Sequence, residues 1–176
     1  MRQRLFILLG SAAVALAAAT AALAGTLTAT ATISGAAGMS MSLPAGPSMT
    51  DTLDGTDHVV AWSALLGIVD ARGSGAGWNL TLSATTFSDG AGHTLAPGSV
   101  SVVSSACVAG NACTAATNSV TYPITISGTA AKFFNAGTNT GLGKVNVTPS
   151  VDVAIPGNAF AGTYTSTVTL AAVSGP

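Results

Sequence analysis

Side chains able to do chemistry are scarce in this chain of 176 residues, which has six aspartates, no glutamate, two histidines and two cysteines. Asp51, Asp54 and Asp57 share the run Asp-Thr-Leu-Asp-Gly-Thr-Asp. Its carboxylates and threonine hydroxyls are the oxygen donors that a hard cation such as calcium takes. The spacing nevertheless lacks the alternation and closing glutamate of an EF-hand loop, so the run reads as a solvated loop whose aspartates serve turns and caps. Glycoside hydrolysis needs an acid and a second carboxylate held across the sugar, and no such arrangement is recognisable. Serines are common only as composition, without a Gly-x-Ser-x-Gly elbow between a strand and a helix. His58 and His93 are lone histidines in predicted loops, near Asp57 and Gly92. Each is read as a surface residue, with a catalytic or metal role as the sharper alternative. The expectation is a protein that is not an enzyme and has no cofactor and no metal site.

One stretch collects rare residue types. Charged residues are 6% of the chain and aromatics 5%, yet Asp70, Arg72 and Trp78 fall within nine positions, in Asp70-Ala71-Arg72-Gly73-Ser74-Gly75-Ala76-Gly77-Trp78-Asn79-Leu80-Thr81-Leu82. Asp70 and Arg72 are placed to pair with each other or to bond turn amides. The three glycines give the turn access to positive φ. Trp78, Leu80 and Leu82 share one face of a strand, which favours the tryptophan as a core anchor over a ligand-facing one. Asp70, Arg72, Trp78 and Leu80 are therefore both the candidate binding residues and candidate structural ones.

The elements that must position these residues are strands. Ahead of them, Arg2 and Arg4 precede an apolar run from Leu5 to Ala21, and Ala22-Leu23-Ala24 stands before Gly25. Residues 1–24 read as a secretory signal peptide; a transmembrane anchor is the alternative, since the run approaches the length of a span. Cleavage there leaves residues 25–176, a usual size for one domain. In that part three cations (Arg72, Lys132, Lys144) stand against six aspartates, a net charge of −3, which lacks the basic footprint of a nucleic-acid binder. The product is expected to be exported, with no membrane span after cleavage. In an exported chain, Cys107 and Cys113, five residues apart, are expected to form a disulfide. A zinc site has no further Cys or nearby His to complete four ligands.

Alternation of apolar and Thr/Ser residues recurs along the chain. Leu27–Ser34 and Met39–Leu43 show it first, Val59–Ile68 reads as one apolar strand with a short helix as the alternative, and Trp78–Thr85 is the clearest amphipathic case. Val100 and Val102 lead into the cysteine loop, and Val120–Ser127 contains Pro123, which suits a sheet edge. Val145–Val153 is expected to be interrupted or bent at Pro149, and Gly162–Val173 closes the chain with Tyr164, Val168 and Leu170 inward. Roughly eight or nine strands without a helical period point to an all-β fold. The fold class is a single antiparallel β-sandwich, immunoglobulin-like or jelly-roll.

The run Val69–Leu82, with Gly77-Trp78-Asn79-Leu80 at its centre, resembles the first signature of the WxL domain. Leu53-Asp54-Gly55, the Phe87–Leu95 region and Ala161–Leu170 are similar to further parts of that family. Where the family's second Trp-x-Leu is expected, Leu170-Ala171-Ala172 stands instead. The resemblance implies a WxL-like domain over residues 25–176 of an exported, bacterial cell-surface protein. It would be held non-covalently at the cell wall, with peptidoglycan or companion surface proteins as partners. A structural subunit that self-associates into a surface layer or fibre is the alternative, suggested by the low charge and the edge strand expected near Pro123.

Overall fold

The computed structural model describes residues 30–176; the signal peptide read over residues 1–24 lies outside them. In chain order the strands are β1 (Met39–Ser42), β2 (His58–Ser63), β3 (Leu66–Asp70), β4 (Trp78–Ala84), β5 (Phe87–Ser88), β6 (Thr94–Leu95), β7 (Ser99–Cys107), β8 (Ile124–Thr125), β9 (Ala131–Ala136), β10 (Gly143–Ile155) and β11 (Val168–Ser174). The count exceeds the eight or nine expected because Val59–Ile68 divides in two and the two-residue strands β5 and β6 add a hairpin. Every pairing is antiparallel.

Six strands form one sheet around β10, with β7 along one of its edges and β3 followed by β2 along the other. β4 lies between β11 and β9 in a second sheet, and β5 and β6 form a separate hairpin. A single apolar cluster joins the two larger sheets. Leu66, Ile68, Val100, Val145, Val147, Val151 and Val153 come from the first, and Trp78, Leu80, Leu82, Phe133 and Phe134 from the second. This is a β-sandwich, and the period-two burial of β3, β4 and β10 is what builds it.

Three departures from simple alternation have local causes. Val59–Ile68 is two strands, not one: both run along the same edge of β10, and the break at Ala64–Leu65 falls opposite Thr148–Pro149. Pro149 has no N–H to offer a ladder, and β10 itself continues through it, so the interruption expected at Pro149 appears in the partner strand. In β9, Leu80 pairs with Phe134 but Thr81 with Lys132, which leaves Phe133 as the extra residue of a bulge. The bulge lets two consecutive phenylalanines both be buried. The alternation over Leu27–Ser34 yields no strand in its described part: residues 30–34 are exposed and have no backbone hydrogen-bond partner among the described residues. Alternation becomes a strand only where another edge accepts it.

The short β8 follows Pro123 at the edge of the large sheet, as expected. In β11, Leu170 and Ala172 take the inward side opposite Leu82 and Leu80, whereas Val168 is exposed. Tyr164 lies ahead of the strand, in the loop that enters it.

Candidate functional site

The Asp70–Leu82 stretch builds one end of the sandwich. Asp70 ends β3 and is only 2% exposed. Its two oxygens accept from the Arg72 guanidinium, Nε at 2.8 Å and Nη2 at 2.9 Å, and the Arg72 amide adds a third bond at 3.2 Å. Arg72 Nη2 also donates to the Gly77 carbonyl at 2.8 Å, and Nη1 donates to Ser174 Oγ. One guanidinium therefore ties the end of β3 in the large sheet to the start of β4 and the end of β11 in the small one. The hydrogen bonds from Arg72 hold the Asp70 carboxyl below the usual carboxylate range against the opposing effect of burial, and the bond to Asp70 raises Arg72 in turn. Close by, Gly175 N donates to the Gly77 carbonyl and Asn79 Nδ2 to the Gly175 carbonyl.

Trp78 is fully buried, stacked at a tilt on Phe134 with ring centroids 5.7 Å apart. Its indole N–H donates to the Gly141 carbonyl at 3.0 Å. Gly141 has φ +69°, and a Cβ there would lie 2.6 Å from the indole nitrogen, so only glycine fits under the ring. Leu80 is buried as well. The structure brings Asp70 and Arg72 together and places Trp78 and Leu80 inside; as they stand, the carboxylate, the indole and the isobutyl group present no surface to a ligand. At the same end Cys107 and Cys113 form a disulfide, with Cα atoms 5.8 Å apart, that pins the intervening loop beside the start of β10.

The opposite end is open. A cleft of 630 Å³ lies between the loop Met49–Leu53, the ends of β2 and β10 (Val60, Val153, Ile155), the β5–β6 hairpin (Phe87, Leu95) and the loop Ala159–Tyr164. That volume is in the range of small-ligand sites. Phe160 is 62% exposed. One face of its ring stacks on the His93 imidazole, with centroids 3.8 Å apart and planes 16° from parallel. The Tyr164 hydroxyl donates to the Phe160 carbonyl at 2.9 Å, and reciprocal backbone bonds between Ser88 and Thr165 tie this loop to the hairpin.

Two histidines, bonded to three aspartates between them, hold the cleft walls. His58 Nδ1 lies 2.9 Å from Asp51 Oδ2 and Nε2 lies 3.0 Å from Asp54 Oδ1. Two carboxylates facing both ring nitrogens suit the doubly protonated imidazolium, and the hydrogen bonds to Asp51 and then Asp54 raise the His58 pKa. Asp54 is pushed down to about 2, chiefly by the Thr56 hydroxyl and amide. On the other wall His93 Nδ1 is 2.5 Å from Asp89 Oδ2, and this bond is the main cause of a lowered Asp89 pKa. Asp57 caps the Gly157 amide across the cleft end. Asp54 thus serves a turn and Asp57 a cap, as expected, but Asp51 bonds only the His58 ring, which it grips together with Asp54. Among the described residues no group of three His, Cys, Asp or Glu side chains is arranged to hold a metal ion.

Sequence reasoning singled out the buried end and did not read Phe160, Tyr164 or Phe87 as site residues. One signal was available: Asp54–His58 and Asp89–His93 share a four-residue spacing. Comparison with curated proteins and with solved structures returns no match. A family model described as WxL domain, surface cell wall-binding, matches residues 24–172. That span takes in the Asp70–Leu82 motif and every segment that lines the cleft, and the chain belongs to the WxL domain family of surface, cell wall-binding domains.

Proposed function

We propose that this chain is an exported, non-enzymatic protein that binds peptidoglycan non-covalently, with the cleft at the Phe160 end as its contact surface. Membership of a cell wall-binding family supplies the general role. The observation that carries the finer reading is the contrast between the two ends. The signature tryptophan is sealed in the core, while Phe160 stands exposed beside an apolar cleft that is open to solvent. Buried Asp70, Arg72, Trp78 and Leu80 then contribute by keeping the two sheets in register, so that the loops at the far end keep their spacing. The test is retention of the exported protein on purified sacculi at physiological salt, with Phe160→Ala alongside. Retention that weakens in the variant supports the reading, and a wild-type protein that washes through contradicts it.

Self-association is a second reading with one observation behind it. β11 ends the small sheet with no strand hydrogen-bonded to its outer edge among the described residues, although β1 of the large sheet lies near it, and it exposes Val168 and Val173. The outer edge of β9, by contrast, is covered by the Thr117–Tyr122 loop through bonds to Asn135 and Gly137. Open edges invite strand pairing. Light scattering on the concentrated protein decides it, since a strict monomer rules out the layer.

A further inference from the structure

Resting on the peptidoglycan reading above, we infer that the cleft is a glycan subsite. The open face of Phe160 stacks on a neutral N-acetylated amino-sugar ring, and His93 and Asp89 position that phenyl ring. The chain of contacts is built from the backbone outward. Asp89 Oδ1 accepts from the amides of Ala91 at 2.8 Å and His93 at 3.1 Å, which fixes the carboxylate. Asp89 Oδ2 then holds the His93 imidazole, and the imidazole backs one face of Phe160. With that face covered and the residue still 62% exposed, the free face is the one turned outward. An aromatic held flat in advance meets a ligand without losing rotamer freedom on binding. The apolar C–H face of a pyranose suits the electron-rich face of such a ring.

The rest of the lining fits the same class of ligand. Thr50, Thr52 and Thr163 bring hydroxyls to the cleft, and Asp51 brings a carboxylate, all able to bond sugar hydroxyl and acetamido groups. Charge decides between wall polymers. No Lys or Arg lines the cleft; Arg72 is engaged with Asp70, and Lys132 and Lys144 lie on β9 and at the start of β10. Asp51 lines the cleft, Asp54 shares its histidine, and Asp89 sits beside Phe160's partner. The His58 imidazolium is shared between two of these carboxylates and leaves no cation over for a phosphate-bearing polymer, whereas an uncharged sugar needs none.

The experiment is competition for the exported protein between purified sacculi and chitotetraose, a peptide-free N-acetylglucosamine tetramer, with phosphate-rich wall teichoic acid as the contrasting polymer. Chitotetraose is expected to displace the protein, and teichoic acid is not. Phe160→Ala should weaken chitotetraose binding roughly tenfold, Phe160→Trp should retain it, His93→Ala should weaken it, and His93→Phe should restore it by replacing the stack. A merely structural His93 would not be rescued by phenylalanine. If wild type binds sacculi and Phe160→Ala weakens that retention but chitotetraose does not compete, the glycan subsite is wrong and the cleft stands as the peptidoglycan contact surface. Displacement by teichoic acid also overturns the subsite. If wild type does not bind sacculi, both fall together.

Discussion

Arg72 and Ser174 lie 102 positions apart and are joined by a hydrogen bond from the guanidinium that also neutralises buried Asp70. That bond links the last residue of β11 to the turn after β3, across the gap between the two sheets. Arg72→Ala leaves the Asp70 carboxylate buried without a counter-charge, a loss expected to cost about 2–4 kcal/mol. Denaturant unfolding measures it. Because the native Asp70 pKa is depressed, the pair's contribution is present above the ordinary carboxyl value and is lost as pH falls through the native one. The deficit of Arg72→Ala should therefore shrink in acid.

Trp78 and Gly141 form a second constraint at this end. Gly141→Ala places a methyl group against the indole and in a positive-φ position, and is expected to destabilise by about 2–4 kcal/mol. Trp78→Phe keeps most of the ring but leaves the Gly141 carbonyl without its donor, at about 1–2 kcal/mol. Thermal melts of the two variants check the order.

His58 makes the Met49–Leu53 wall of the cleft sensitive to pH. Its native pKa is raised by Asp51 and Asp54, with Asp57 next to it in sequence and bonded to Gly157. A raised histidine pKa contributes stability that is complete below the ordinary value and lost as pH rises through the native one. NMR titration of the His58 ring should give a midpoint above the ordinary histidine value, and His58→Ala should remove the pH dependence of the Thr50–Asp54 amide signals. A midpoint at or below the ordinary value contradicts the two-carboxylate geometry.

The Cys107–Cys113 bridge closes a short loop at the end away from the cleft. Its removal by Cys→Ser substitution at both positions is expected to cost about 2 kcal/mol and to leave sacculus retention unchanged. Parallel unfolding and retention assays separate the two effects.

The sandwich was legible because burial in β4 and β10 follows the period of two that Trp78–Ala84 and Val145–Val153 display in sequence. The two phenylalanines of β9 were not readable in this way, since a bulge at Phe133 suspends the alternation. Leu27–Ser34 alternates yet is no strand over its described residues, because pairing depends on a partner edge that local pattern does not record. The Asp70–Arg72 pair was readable from proximity along the chain, and the burial of Trp78 from its company with Leu80 and Leu82. The cleft was not. Its walls come from Met49–Leu53, Phe87, Val153 and Phe160, which only the topology of β10 and the β5–β6 hairpin brings together, and an exposed phenylalanine looks the same as a core one in sequence.

The central claim is that the wall is met at the Phe160 end and not at the Trp78 end. The most direct measurement is sacculus retention of Phe160→Ala and Trp78→Phe side by side, each confirmed folded by circular dichroism. Retention that falls roughly tenfold for Phe160→Ala and stays at the wild-type level for Trp78→Phe is the expected result. The reverse pattern, with Phe160→Ala unaffected and Trp78→Phe released from the wall, would contradict the account.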